Sequence, residues 1–181
     1  VRGQDGSSPV DPADPAGWFD EIASLATGPN VAYMAGHAGL RRTAGVPMGR
    51  AARGDELTYM EETAGRMMQA GCFGLSTGLE YRPGIFASPA ELAAMARGVG
   101  RYDGVVMSHV RDEDDPALEA SIRELLQQGR DGGAALHIAH IKSVYGHGAD
   151  RAEEILALMD RARAEGVQVT ADIYPYMASY T

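Results

Sequence analysis

The stretches Val105-Val106-Met107-Ser108-His109 and Ala135-Leu136-His137-Ile138-Ala139-His140 decide how this chain is read. Each is a short, mostly apolar run that ends on histidine and leads into a turn and a helical pattern. Strands that alternate with helices pair in parallel through right-handed crossovers. In a barrel built that way, the carboxyl ends of the strands form the rim where chemistry is done. Neighbouring strands run ~4.8 Å apart. Imidazoles from two adjoining ends can therefore share one zinc at ~2.1 Å each.

Working outward, five strand-like segments recur at residues 30–37, 72–77, 104–110, 134–141 and 167–174. They are short, apolar and bounded by Gly, Asn or charged residues, as buried parallel strands are. A helical pattern flanks each one. Three helix starts place a capping side chain before proline: Asp14-Pro15, Ser88-Pro89 and Asp115-Pro116. Ser88 and Glu91 have capping-box spacing. Ile155, Leu156, Leu158 and Met159 form an apolar helix face that Gly166 terminates.

A doubly wound sheet also alternates strands with helices. No Gly-x-Gly-x-x-Gly turn follows an early strand here, however, and polar residues cluster at every strand end rather than at one switch point. The expectation is therefore α/β, part of a (β/α)8 TIM barrel, within one domain over residues 1–181. Five strands do not close a barrel of eight. The chain opens on Val1 in mid-motif, so it is read as the central part of a longer barrel whose first and last strands lie outside it.

Composition excludes several classes. With 23% charged and 45% hydrophobic residues the chain is an ordinary globular sequence, and its net charge of −9 disfavours nucleic acid and anionic membranes as partners. No apolar run approaches the ~20 residues that span a bilayer. One cysteine, Cys72, precludes an internal disulfide framework and fits a reducing, cytoplasmic setting. No oligomeric state can be read.

Strand alternation sorts the side chains. If His109 faces the barrel interior, so does Met107, with Arg111 at the rim. If His140 faces inward, so do Ile138 and Lys142, while His137 points to the helices. Asp172 and Tyr174 share a face. A purely structural interior would carry branched aliphatics at these positions, so His109, Arg111, His140, Lys142, Asp172 and Tyr174 imply a metal-dependent hydrolase. A lone strand-end histidine usually caps or hydrogen-bonds; two on successive strands favour metal. Lys142 is placed to pair with a substrate carboxylate or simply to be solvated. Tyr174 serves packing or contact equally well, and Asp172 could cap a loop. His37 is read as functional, His147 as exposed, Cys72 as inert at the far end of the strands, and Met60, Met67 and Met68 as core filler.

Taken in order, five stretches resemble the N-acyl-D-amino-acid deacylases (D-aminoacylases) of the amidohydrolase superfamily. They are Gly36-His37-x-x-Leu40-Arg41, Gly74-Leu75-Ser76-Thr77-Gly78-Leu79-x-Tyr81-x-Pro83-Gly84, Ser108-His109-Val110-Arg111, His140-Ile141-Lys142 and Asp172-Ile173-Tyr174-Pro175-Tyr176-x-Ala178-Ser179. The resemblance covers most of the chain from Val31 onward. It implies a zinc-dependent (β/α)8 barrel, present here from about the end of its second strand through its seventh. His109 and His140 would match the two histidines of the tightly held zinc, while Lys142 and Tyr174, with possible help from Arg111 and His37, would bind substrate. Where the family has a Gly-Asn-Cys-Gly turn this chain has Gly3-Gln4-Asp5-Gly6, so Asp5 would replace the thiolate as third zinc ligand.

The same resemblance puts a His-x-His pair upstream of Val1 and a general-base aspartate beyond Thr181. The chain by itself is thus expected to hold metal without being catalytic. The complete enzyme would cleave N-acyl-D-amino acids, small-molecule substrates, to a carboxylate and a D-amino acid. Three alternatives stay open: a cyclic-amide or dipeptide hydrolase of the same superfamily, a Schiff-base lyase with Lys142 as nucleophile, and a non-catalytic or truncated product that binds metal or merely misfolds.

Overall fold

The computed structural model describes residues 12–25, 28–176 and 178. Helix α1 (Pro15–Ser24) precedes strand β1 (Met34–Gly36), helix α2 (His37–Thr43) and helix α3 (Asp55–Ala70). Strand β2 (Gly74–Gly78), a 3-10 turn (Gly84–Phe86) and helix α4 (Pro89–Gly100) follow. The chain then repeats strand and helix as β3 (Val105–His109), α5 (Asp115–Gly132), β4 (Ala135–Ile138), α6 (Ala149–Ala164) and β5 (Val169–Ala171).

All four strand pairings are parallel, in the order β1-β2-β3-β4-β5. That sequential order decides between the two candidate architectures. A doubly wound sheet reverses direction at a switch point and puts its first strand in the middle. Here each strand is added beside the last, as in a barrel wall.

Register carries one row of side chains, Ala35, Leu75, Val106, Leu136 and Val169, across all five strands toward the helices. None is more than 3% exposed. Burying each Leu or Val contributes ~1.5–3 kcal/mol, so this row anchors the sheet to its helical layer. On the other face the aligned row is Gly36, Ser76, Met107, His137 and Thr170. In the helical layer, over the buried row, α3, α4 and α5 pack closely because small residues sit at the contacts. A Cβ on Gly98 would lie 2.7 Å from Glu61 O, and one on Gly132 would lie 2.2 Å from Ala96 Cβ.

The helix starts agree with sequence in two cases and shift in one. Asp14 Oδ1 accepts from Gly17 N at 3.0 Å, and Ser88 Oγ accepts from Glu91 N at 3.2 Å, each with proline in the first turn. The third helix begins at Asp115 itself, with Asp114 in the capping position. Asp115 is not the cap because its carboxylate is taken by Ser143 Oγ and Arg151 Nε, both at 2.6 Å. The capping box is likewise half made. The Glu91 side chain turns into the core instead of returning to Ser88.

Cys72 lies just before β2, at the amino ends of the strands, and is 4% exposed. Burial pushes its thiol up to about 11. Native protein at pH 8 is therefore expected to resist iodoacetamide until denatured. Rapid labelling of the folded state would contradict this burial.

Candidate metal centre

His109 is the last residue of β3 and lies on the face opposite the buried row. Beyond β4 the backbone turns. His140 adopts φ +41, and its N–H is accepted by Asp172 Oδ1. This turn breaks strand alternation, which corrects the expectation that Ile138 and Lys142 share an inward face with His140. Ile138 is fully buried toward the helices, while His137 lies on the open face beside Met107 and Thr170. His137 Nδ1 meets Thr170 Oγ1 at 2.8 Å, and its Nε2 meets Asp172 Oδ2 at 2.9 Å. The His137 contact, reinforced by the His140 N–H, holds the Asp172 carboxyl below its ordinary range. Asp172 thus spans the two histidines of one segment.

The reoriented His140 ring meets His109. His109 Nδ1 and His140 Nε2 stand 3.0 Å apart, with ring centroids 4.6 Å apart at 61°. Each imidazole has a carboxylate at its other nitrogen: Glu80 Oε2 lies 2.5 Å from His109 Nε2, and Glu113 Oε1 lies 3.2 Å from His140 Nδ1. Lys142 Nζ is 2.5 Å from Glu113 and 5.8 Å from the centre of the Tyr174 ring. Tyr81 packs against His109 at 4.7 Å between centroids. These side chains line a cleft of about 860 Å³.

Glu113 arrives through loop pairing that sequence reading did not foresee. Val144 N donates to Glu113 O, and Asp115 N donates to Val144 O, so the loops after β3 and β4 lie side by side. The signal for Glu113 and Glu80 was the rule that a ligand imidazole needs an acceptor behind it. Four acids in a row, residues 112–115, hid which one would serve.

Arg111 and His37 are not brought into this group. Arg111 is spent on the Glu124 carboxylate at 2.9 and 3.0 Å and on the carbonyls of Ile85 and Ala87. His37 opens α2, is 2% exposed, and puts Nε2 on Glu91 at 2.7 Å. Asp5 lies outside the described residues.

The donor set fits zinc. Among the described residues, His109 and His140 offer two imidazole nitrogens, with a Glu113 carboxylate oxygen within 4.8 Å of both. Imidazole nitrogens with a carboxylate at that spacing suit zinc.

Sequential parallel strands with such donors at adjoining carboxyl ends define a segment of a (β/α)8 barrel with a metal-type rim. No protein-family model matches the chain. An N-acyl-D-glutamate deacylase of Alcaligenes xylosoxydans xylosoxydans is 39% identical over 97% of this chain and 36% of its own length. A D-aminoacylase of the same organism is 31% identical over 92% of this chain and 34% of its own. The crystal structure of N-acyl-D-glutamate deacylase from Bordetella bronchiseptica, complexed with zinc and a phosphonate inhibitor, superposes with a TM-score of 0.83. It is 37% identical over 89% of this chain and 34% of that one. The chain is homologous to the N-acyl-D-amino-acid deacylases along nearly its whole length, and it spans about a third of the length of those relatives.

Proposed function

We propose that the protein carrying this chain hydrolyses N-acyl-D-amino acids with zinc, giving a carboxylate and a free D-amino acid. The observation that carries this reading is the 3.0 Å approach of His109 Nδ1 and His140 Nε2 at adjacent strand ends, in a chain homologous throughout to deacylases. His109 and His140 would hold the metal, with Asp5 as a further ligand. Bound zinc supplies Lewis acidity, activating water near neutral pH and polarising the scissile carbonyl.

The remaining residues orient the substrate. Lys142, paired with Glu113 at 2.5 Å and flanked by Tyr174, would turn its remaining proton to the substrate carboxylate, a charge-assisted contact stronger than a neutral hydrogen bond. Tyr81, tilted at 44° against His109, walls the cleft on that side. Arg111 and His37 are committed to protein partners and are assigned no substrate contact. A cytoplasmic setting accords with the single reduced cysteine. Among the described residues, no helix is long and apolar enough to cross a membrane.

A panel of N-acetyl amino acids in both configurations tests the reading on the complete protein. Hydrolysis of D-substrates is expected, with loss on 1,10-phenanthroline treatment and recovery on adding zinc. Lys142→Ala should raise KM by about 10–100-fold, since a hydrogen bond to a charged group contributes ~1.5–3 kcal/mol. Indifference to chelator, together with borohydride trapping of substrate on Lys142, would establish the lyase chemistry instead.

A further inference from the structure

Glu113 Oε1 sits against the Nδ1 edge of His140 and lies 3.8 Å from His109 Nδ1 as well. Its Oε1 is 3.2 Å from His140 Nδ1, whereas His140 Nε2, on the other edge of the ring, is the nitrogen that faces His109. The same carboxylate takes Lys142 Nζ at 2.5 Å on each oxygen. Lys142 Nζ in turn lies 3.2 Å from His140 Nδ1. Glu113 is 8% exposed, and Lys142 is the one lysine in the chain.

We propose that Glu113 is a positioning residue that locks His140 and Lys142 to each other, so that the metal-facing nitrogen and the substrate-facing ammonium keep a fixed spacing. The proposal rests on the zinc-deacylase reading. An imidazole that offers Nε2 to a metal carries its proton on Nδ1, and a carboxylate placed there fixes both tautomer and ring orientation. An ammonium has three protons. With Glu113 straddled by two of them, the third is aimed by geometry instead of sweeping freely. Glu80 occupies the matching place behind His109, but its side chain is 47% exposed, so it holds one ring alone and less firmly.

The test uses Glu113→Gln and Glu113→Asp in the complete protein. Readouts are zinc affinity by chelator competition, the Co(II) absorption spectrum, and kcat and KM on N-acetyl-D-amino acids. Glu113→Gln should keep one equivalent of zinc and the Co(II) band positions, weaken zinc binding about 10–100-fold, and raise KM more than it lowers kcat. Glu113→Asp, which keeps the charge, should recover part of both effects and serves alone if the glutamine variant does not fold. Unchanged zinc affinity and KM would overturn the proposal while leaving the zinc reading intact. Loss of zinc stoichiometry with an altered Co(II) spectrum would make Glu113 a direct ligand and also overturn it. A wild-type protein that binds no zinc would remove the reading and the proposal together.

Discussion

Replacing His140 by alanine in the complete protein is expected to strip the metal and to lower kcat/KM by on the order of 10³-fold or more, because metal Lewis acidity supplies several kcat-determining kcal/mol. The expectation follows from the site's economy of donors. His109 Nδ1 has His140 Nε2 as its neighbour across 3.0 Å, and removing that ring leaves a single imidazole at the shared position. Metal content by atomic absorption, measured beside turnover, is the check. His147→Ala is the control, since that residue sits in the exposed loop before α6 and should leave zinc content unchanged. Full zinc and full activity in His140→Ala would remove the metal assignment.

Glu91→Ala is expected to destabilise the fold by about 3–5 kcal/mol, the cost of leaving a buried charge without its partner. Glu91 is fully buried, and it accepts from His37 Nε2 at 2.7 Å, Arg41 Nη1 at 2.5 Å and Ala52 N at 2.7 Å. Arg41, 1% exposed, also donates to the carbonyls of Pro47 and Arg50. The cluster ties α2, the loop before α3, and α4 into one unit at the carboxyl end of β1. Taking out the carboxylate strands the Arg41 guanidinium in the core. Chemical denaturation compared with wild type gives the difference. A loss under 1 kcal/mol would mean that the cluster is solvated.

The same cluster sets an acid limit. Burial pushes the Glu91 carboxyl upward, but the hydrogen bonds from His37, Ala52 and Arg41 outweigh it and hold the group below its ordinary value of 4.5. A lowered folded-state value means that the contribution is complete above the ordinary carboxylate range and is lost as pH falls through the lowered value. The stability gap between wild type and Glu91→Gln should therefore be constant near neutrality and narrow below about pH 4.

Much of this was legible in the chain. Each of the five apolar segments overlaps a strand, because a short apolar run between turn signals pairs in a sheet to bury a face against the helices. Asp14 and Ser88 cap where their spacing to proline said they would, since a cap is a local hydrogen bond. His109 and His140 were legible as a pair because consecutive parallel strands end at one rim. Other features were not local. His140 meets His109 only because its backbone leaves the strand at φ +41, a turn held by Asp172 from the next strand segment. Period-two alternation cannot anticipate that.

Sequence by itself determined that strands alternate with helices and that two imidazoles end adjoining strands, because both facts reside in short-range pattern. Only the tertiary structure decided which carboxylates stand behind those rings. Glu80, Glu113 and Asp172 reach them from different loops, 29, 27 and 32 positions away, and contacts between loops are set by how the strands are stacked, not by the residues on either side. The same packing drew Arg111 to Glu124 and His37 to Glu91, where burying a polar group demands a partner close at hand.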